Sequence, residues 1–398
     1  MDYDVIIAGG GLNGLTQALA LARTGFAVAL ADGEVEADRP QDVRAYALAQ
    51  TSVNLMRSLG VWDQIARFAQ PMERVAITDG RIGDGASPLF LVFEAADSGG
   101  LPSGFMVEQG DLRPALIAAL RSAGATLHFG ERIEHVETSQ SKVTATLGAS
   151  SISAAVLIAA DGKSSELAAA AGIKRTGWSY GQSAIVMKLR HSKPHDGVAH
   201  QFFTPAGPLA LLPLTGQRTC VVWTESTPRV QTLMKLSHEQ LLAAFAPLAG
   251  AALGDLALDG APASFPLQLS IANAFYDQRL ALIGDAAHVV HPLAGQGLNA
   301  GLKDVAALTE VLIKARRRGE DIGQLDVLAR YEAWRRFDIA QLAFTTDAIN
   351  RTFSNDSPLL RAGRDLALGA LAGMTGVRRI LAREASGQTG DLPPLLRP

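Results

Sequence analysis

Gly9-Gly10-Gly11-Leu12-Asn13-Gly14 decides the fold of this chain when it is read together with Gly284-Asp285-Ala286-Ala287-His288, some 270 residues later. Residues 5–8, ahead of the first motif, form a short apolar run, as expected of a parallel strand covered on both faces. After it, Leu15, Ala18, Leu19, Leu21 and Ala22 recur at helical spacing. Gly25 stops that helix, and residues 26–31 make a second strand closing on Asp32, which completes a βαβ unit. In this setting Gly9 permits a tight turn, Gly11 lets backbone approach a pyrophosphate, and Gly14 allows close helix–strand packing. The helix start offers free N–H groups and a partial positive charge to phosphates. Asp32, eighteen residues after Gly14, is placed to bind the ribose hydroxyls of an adenosine.

A lone Gly-x-Gly-x-x-Gly indicates only a dinucleotide, and the second motif narrows the choice. Asp285 follows an apolar strand at 280–283 and a glycine, so its carboxylate sits at a strand's C-terminal edge, within reach of ribityl or sugar hydroxyls. His291-Pro292-Leu293-Ala294-Gly295-Gln296-Gly297-Leu298-Asn299 follows at once. The backbone N–H groups of Gly295, Gly297, Leu298 and Asn299 open a helix and could hold the pyrimidine edge of a flavin, stabilising the negative charge of its reduced form. One long cofactor gripped from both ends of the chain points to FAD rather than NAD. An ordinary glycine-rich turn and a solvent-exposed helix cap are the alternatives for the two motifs taken singly.

At 398 residues the chain is long enough for two or three modules and a large core. A net charge of −3 gives no global field for nucleic acid or an acidic membrane surface. The single cysteine, Cys220, lies in an apolar run, reads as a core thiol on a strand, and fits a reducing cytoplasm. The start of the chain shows no secretion signal, and no run of about 18 apolar residues provides a membrane span. Peripheral attachment stays open.

Along the chain, residues 44–70 read as helical, with Leu48, Leu55, Met56 and Leu59 near one face and Gly60 as a stop. Residues 74–104 read as strands and turns broken by Gly80, Gly83 and Gly85, residues 112–123 as a helix, and 143–147 and 153–160 as strands. From 183 to 224, strands follow one another without helices, which predicts an antiparallel sheet and a second layer. Helical periodicity returns after Gly297 in Leu298, Leu302, Val305, Leu308 and Leu312. His288 and His291 lie in a turn with no third ligand nearby, so hydrogen-bonding or structural roles fit better than a metal site. Asp161-Gly162 after a strand is readable as a simple turn, and Arg44 either neutralises phosphate or is solvated.

These residues together resemble the class A FAD-dependent aromatic monooxygenases, and within them the ubiquinone-biosynthesis hydroxylases. The resemblance rests on Gly9–Gly14 with Asp32, where that family more often carries Glu. It also rests on Asp42-Val43-Arg44-Ala45-Tyr46-Ala47-Leu48, Ala160-Asp161-Gly162, the stretch from Phe203 to Leu214, Tyr331-Glu332-Ala333-Trp334-Arg335-Arg336, Phe353-Ser354-Asn355-Asp356 and Gly390-Asp391-Leu392-Pro393. His291 to Asn299 is its most specific part. The family's Glu-Asn is replaced by Glu108-Gln109, and Gln109 can still donate an amide hydrogen bond to flavin.

The resemblance implies an α/β fold: a Rossmann-like FAD-binding domain (1–73, 105–180, 269–345) interrupted by a mostly antiparallel β-sheet substrate domain (74–104, 181–268), with a C-terminal helical segment (346–398). It implies that Arg44 reaches FAD and that Asp161 lies near FAD and a reduced nicotinamide. In the implied reaction, a nicotinamide (NADH or NADPH) or another donor reduces FAD, and dioxygen adds to flavin C4a to give a hydroperoxide. The ring of a polyprenylated phenol then attacks the distal oxygen. The Pro292 carbonyl would face that ring, and His291 is a candidate base.

Phe202, Phe203, Leu209, Leu211 and Leu212 either line a path for the polyprenyl tail or are core. A stripe of Leu359, Gly363, Leu366, Ala370, Met374, Val377 and Leu381, flanked by Arg361, Arg364, Arg378, Arg379 and Arg383, is a membrane-surface helix, a face for partner subunits of ubiquinone biosynthesis or a homo-oligomer, or a segment folded back on the core. Rival readings are a hydroxylase of a small soluble aromatic and a non-catalytic flavoprotein scaffold; an NAD-dependent dehydrogenase would leave the second motif without a role.

Overall fold

The computed structural model describes residues 1–36, 42–79, 90–94, 100–249, 253–354, 376, 383 and 386–398. The unbroken apolar runs become the middle of an eight-stranded sheet, as burial on both faces requires. Its order is Tyr276–Asp277, Leu280–Leu282, Ser150–Ala159, Tyr3–Ala8, Val28–Asp32, Thr126–Phe129, and Val143–Leu147 and Ile133–Thr138 extend it as an antiparallel flap. The five strands from Leu280–Leu282 to Thr126–Phe129 run parallel. Their C-terminal ends therefore share one edge, the place where open α/β sheets form ligand sites. Helices Leu12–Arg23 and Gln296–Arg317 lie side by side in the core, where Gln17 Nε2 donates to Thr309 Oγ1 at 2.9 Å.

The second sheet has nine strands: His288–Val289, Ala263–Ala272, Arg175–His191, Arg218–Ser226, Gly207–Leu214, Val198–Thr204, Arg74–Asp79 and Phe90–Glu94 in order, with Leu256–Leu258 beside Arg175–His191. Every pairing is antiparallel except Val198–Thr204 with Arg74–Asp79. Cys220 is fully buried there and burial pushes its thiol up to about 12, so it is inert core. The helix Leu325–Phe353 ties the two sheets together. Tyr331 near its start donates to the Leu282 carbonyl of the first sheet at 2.8 Å, and Asn350 near its end donates to Gln182 of the second at 3.2 Å.

The structure departs from the sequence reading in three places. Within 44–70, Ala45–Leu48 is a strand and only Gln50–Ser58 forms the main helix, because Ala45–Leu48 pairs antiparallel with Phe105–Glu108. Leu48 is thus core, but not on the helix of Leu55 and Met56. Two helices, Thr227–Leu233 and His238–Ala249, follow the strands and cover one face of the second sheet. Leu209 and Leu211 are buried in the core beneath them, and half-buried Phe202 packs against that core. Leu212 points to the opposite face, with Val186, Cys220 and Val222, toward Ala45 and Ala47. The Phe203 ring packs against that of Phe353, tilted by 33° with centroids 4.3 Å apart. Gly80, Gly83, Gly85, Asn355, Asp356 and all of the C-terminal stripe lie outside the described residues. No described helix is long and apolar enough to cross a membrane.

Candidate cofactor and active site

The two motifs that stand far apart in sequence meet at one side chain. Asn13, two residues past Gly11, fills the space that a Cβ on either Gly284 or Gly301 would need. The glycines of the first motif divide into two kinds. Gly9 has φ +109, and a Cβ there would overlap the Ala160 carbonyl; a Cβ on Gly14 would overlap the Gly9 carbonyl. Gly11 differs: a Cβ there meets no atom of the described residues within 4 Å. Gly10, which sequence reasoning passed over, donates its N–H to Asp32 Oδ2 at 2.6 Å, and a Cβ would strike that carboxylate. Asp32 Oδ1 also accepts the Glu34 N–H at 2.9 Å, which fixes the carboxylate at the strand end.

Neighbouring strand ends supply the other groups. Asp161 follows Ser150–Ala159; its Oδ2 accepts a long bond from the Leu167 N–H at 3.4 Å, and Oδ1 is buried with no hydrogen-bond partner among the described residues. Burial raises its pKa above the usual carboxylate range. Asp285 follows Leu280–Leu282 and is solvent-accessible yet crowded, the situation of a group on a cleft floor. That crowding raises its pKa against the opposing charges of His288, Arg44, Arg175 and Lys163. Arg175 holds the turn from behind, donating to the carbonyls of Asp285 and Ala286 and to Ser270.

Beneath the turn, Asp304 is fully buried and accepts the Gly284 N–H at 3.0 Å, His288 Nε2 at 2.6 Å and Arg335 Nε at 2.8 Å. Burial alone would raise the Asp304 pKa, but His288 and Arg335 overrule it and hold the carboxyl below the usual range. His288 is therefore a hydrogen-bonding residue of the turn. The stretch from Tyr331 to Arg336 gains its explanation here: Tyr331 and Arg335 brace the Gly284-Asp285 turn, and Trp334 Nε1 donates to the Asp391 carbonyl at 2.8 Å. Sequence reasoning missed Asn13, Arg175 and Asp304. Only Asp304 left a signal, an acidic residue on the apolar stripe between Leu302 and Leu308.

Gly295 takes φ +65 and begins the helix Gln296–Arg317 without a side chain to cap the first-turn N–H groups; Gly11 does the same for Leu12–Arg23. Gly297 is as open as Gly11. The Asn299 side chain is spent on structure. Its Oδ1 accepts the Ala49 N–H and Ser52 Oγ–H, and its Nδ2 donates to Ala47 and Gly295, so only its backbone remains for a ligand. The Leu298 side chain is half-buried against the core. Pro292 is exposed, and its carbonyl accepts the Gly295 N–H at 3.3 Å.

Arg44 pairs with Asp42 at 2.5 Å and lies over the rings of Tyr46 and Phe265. Tyr46 donates to Gln109 Oε1 at 2.8 Å. His291 is 0% exposed, and neither ring nitrogen has a partner among the described residues. Burial lowers its pKa to about 4, with Asp347 opposing.

That value carries a stability prediction. The unfolded imidazole titrates near 6.5, so as pH falls from about 6.5 to about 4 the unfolded state binds a proton the native state refuses, and stability drops. The shift corresponds to about 3 kcal/mol. A His291→Phe protein should lose that much less than wild type over this window in urea titrations; parallel curves would contradict it.

A parallel sheet with a glycine-rich turn, a second Gly-Asp turn on the same edge and an inserted antiparallel sheet defines a FAD-binding oxidoreductase. The chain matches the family model described as an FAD binding domain over residues 2–345. It is 41% identical over 400 residues to ubiquinone hydroxylase UbiL of Rhodospirillum rubrum, covering 99% of this chain and 92% of that one. It is 35% identical to the 3-demethoxyubiquinol 3-hydroxylase of Escherichia coli over 92% of this chain and 94% of that protein. The structure of p-nitrophenol 4-monooxygenase PnpA from Pseudomonas putida shares the fold, with TM-score 0.81 at 20% identity and 96% of each chain covered. A Klebsiella pneumoniae HpxO variant complexed with FAD superposes at TM-score 0.77, 22% identical over 99% of this chain and all of that one. The chain belongs to the FAD-dependent hydroxylases of ubiquinone biosynthesis. Its cofactor is FAD, used with dioxygen and a reduced nicotinamide.

Proposed function

We propose that this enzyme hydroxylates the aromatic ring of a polyprenylated phenol. The observation that carries the proposal is His291: a buried, neutral imidazole with two open nitrogens beside Pro292, where a phenolic oxygen would find its partner. The donor set fits FAD. Two helices with glycine caps offer uncapped N–H groups, Asp161 keeps a buried oxygen without a partner among the described residues, and Gly11 and Gly297 leave room for close approach.

In this reading Gly9, Gly11 and Gly14 seat the pyrophosphate, and Asp32 takes the adenosine ribose. Asp285 takes ribityl hydroxyls, Asp161, Arg44 and Gln109 flank the flavin, and the backbone of Gly295, Gly297, Leu298 and Asn299 holds its pyrimidine edge. When bound, FAD uses electrons from the nicotinamide to deliver one atom of dioxygen to the ring, the other leaving as water. The protein's part is to exclude water, orient the ring against the Pro292 carbonyl, and let His291 accept the phenolic proton.

The polyprenyl tail would need an apolar path out of the site. Such a substrate lives in a bilayer, so we place the enzyme at the inner membrane face as a peripheral protein, which flotation of the full chain with liposomes would check. The test of function is incubation of FAD-loaded protein with a short-chain prenylated phenol, NADH and ¹⁸O₂. One ¹⁸O in the product is expected. Nicotinamide oxidation that yields only hydrogen peroxide, or turnover confined to water-soluble phenols, would overturn the assignment. His291→Ala should keep FAD but lose roughly a hundredfold in hydroxylation while peroxide rises, the range a positioned proton acceptor supplies; unchanged turnover and coupling would remove His291 from the chemistry.

A further inference from the structure

Among the described residues, Arg175 is a cation bonded only to neutral groups. It opens the strand Arg175–His191 of the second sheet, and its side chain reaches across Ala263–Ala272 to the turn that leads into His288–Val289. Nε donates to Ser270 Oγ at 2.8 Å, and Nη1 donates to the Ala286 carbonyl. Nη2 donates to the Asp285 carbonyl at 3.1 Å and the Ser270 carbonyl at 3.2 Å. A planar fork suits acceptors spread over two chain segments, which a single ammonium could not span. These bonds alone do not call for a full positive charge, and a half-buried guanidinium is costly to desolvate. Burial lowers the Arg175 pKa, and the charges that oppose burial are those of Asp285 and Asp161.

Both carboxylates are close by construction. Asp285 stands on the turn itself, and Asp161 follows the neighbouring strand, where Ala159 pairs with Leu282 and its carbonyl accepts the Ile283 N–H at 3.0 Å. Four basic groups face Asp285: His288, Arg44, Arg175 and Lys163. Their situations differ. His288 Nε2 is bonded to Asp304 at 2.6 Å, Arg44 is paired with Asp42, and Lys163 is exposed. Of the four, Arg175 is the one bonded to the backbone of the turn and, among the described residues, paired with no other carboxylate.

We propose that Arg175 is a positioning residue for FAD: its fork fixes the Gly284–Ala287 turn from the second sheet, and its charge keeps the Asp285 carboxylate ionised to accept ribityl hydroxyls. The inference rests on the reading above that Asp285 faces the cofactor, and Arg175 acts through Asp285. Crowding already raises the Asp285 pKa, so loss of the cation raises it further. A protonated carboxyl turns one of its acceptor oxygens into a donor. FAD affinity should therefore fall as pH drops through the pKa of this carboxyl in the apoprotein, and that acid limb should stand at higher pH once the cation is gone.

The experiment titrates FAD into apoprotein between about pH 4 and 8, following flavin fluorescence, with circular dichroism to confirm folded protein at each pH. Wild type is compared with Arg175→Gln, Arg175→Lys and Asp285→Asn. Arg175→Gln is expected to lose at least about tenfold in affinity at the alkaline end, as a lost charged hydrogen-bonding group does. Its acid limb should move up by about 1 pH unit or more. Arg175→Lys keeps the charge without the fork, so its affinity should fall while its limb stays with wild type. Asp285→Asn should bind weakly and lack the limb, which identifies the limb with that carboxyl. Arg175→Gln binding as tightly as wild type, or a limb left at the wild-type pH, or one that Arg175→Lys shifts as far, would overturn the proposal. Asp285→Asn that binds as tightly as wild type with the limb intact would instead overturn the placement of Asp285 at the cofactor.

Discussion

Gly14→Ala protein is expected to purify without FAD and to unfold at markedly lower denaturant than wild type. The added methyl would overlap the Gly9 carbonyl oxygen and crowd Ala160 Cβ. Neither can move freely, because Gly9 is bonded to Ala31 and Ala160 to Ala8 by sheet hydrogen bonds. Overpacking typically costs about 1–3 kcal/mol, and backbone that cannot yield puts this site at the upper end. Gly11→Ala is the informative control. Gly11 has φ −73 and ψ 175, which alanine adopts without strain, and the methyl would meet nothing. Stability of the apoprotein should stay within about 0.5 kcal/mol of wild type. FAD affinity should nonetheless fall at least about tenfold, or 1.4 kcal/mol, because the methyl stands where the pyrophosphate must approach. Cofactor titration followed by fluorescence, with apoprotein melting curves beside it, separates the two. If Gly14→Ala binds FAD stoichiometrically and melts with wild type, the packing argument fails.

The second large effect is expected at Asp304. Asp304→Asn keeps the shape but leaves Arg335, 3% exposed, with only the partly exposed Asp338 to balance it. It also weakens the bonds to His288 and the Gly284 N–H. Removing one partner of a buried pair costs about 3–5 kcal/mol, and here the turn that carries Asp285 should loosen with it, so FAD occupancy should fall too. The companion is Asp304→Asn with Arg335→Met. Removing both charges should recover part of the loss, since the isolated buried cation causes much of it. Urea midpoints of the four proteins give the coupling; strictly additive losses would show that the pair is not the origin.

The pair also sets a pH dependence. Because the folded carboxyl titrates below its unfolded value, its contribution is complete above about pH 3.9 and is lost as acid protonates the native carboxylate.

The parts of this architecture that announce themselves in sequence are those whose residue type is dictated by backbone geometry. Gly9 and Gly14 are obligatory because carbonyl oxygens occupy their Cβ positions, and such constraints can be read without knowing what lies across the sheet. The apolar runs of the parallel strands are legible for the same reason, since burial on both faces permits nothing else. Residues 45–48 read as helix because Leu48 falls near one face with Leu55, Met56 and Leu59, and only pairing with Phe105–Glu108 overrides that pattern. Asn13 and Arg175 were silent because their roles depend on partners more than 90 residues away. His291 was singled out, yet its full burial with neither ring nitrogen partnered among the described residues depends on packing that its neighbours in sequence do not reveal.

The wedge of Asn13 between Gly284 and Gly301 has a consequence for the order of events during synthesis. The first βαβ unit emerges early and can form its turn, but the slot that receives Asn13 and the buried Asp304 beneath it exist only after three quarters of the polypeptide has been made. An N-terminal fragment therefore carries a dinucleotide fingerprint without a place to hold FAD. Capture of the cofactor becomes a late step that reports completion of the chain, and nascent protein waits for it with an open cleft edge, in the stage where chaperones act.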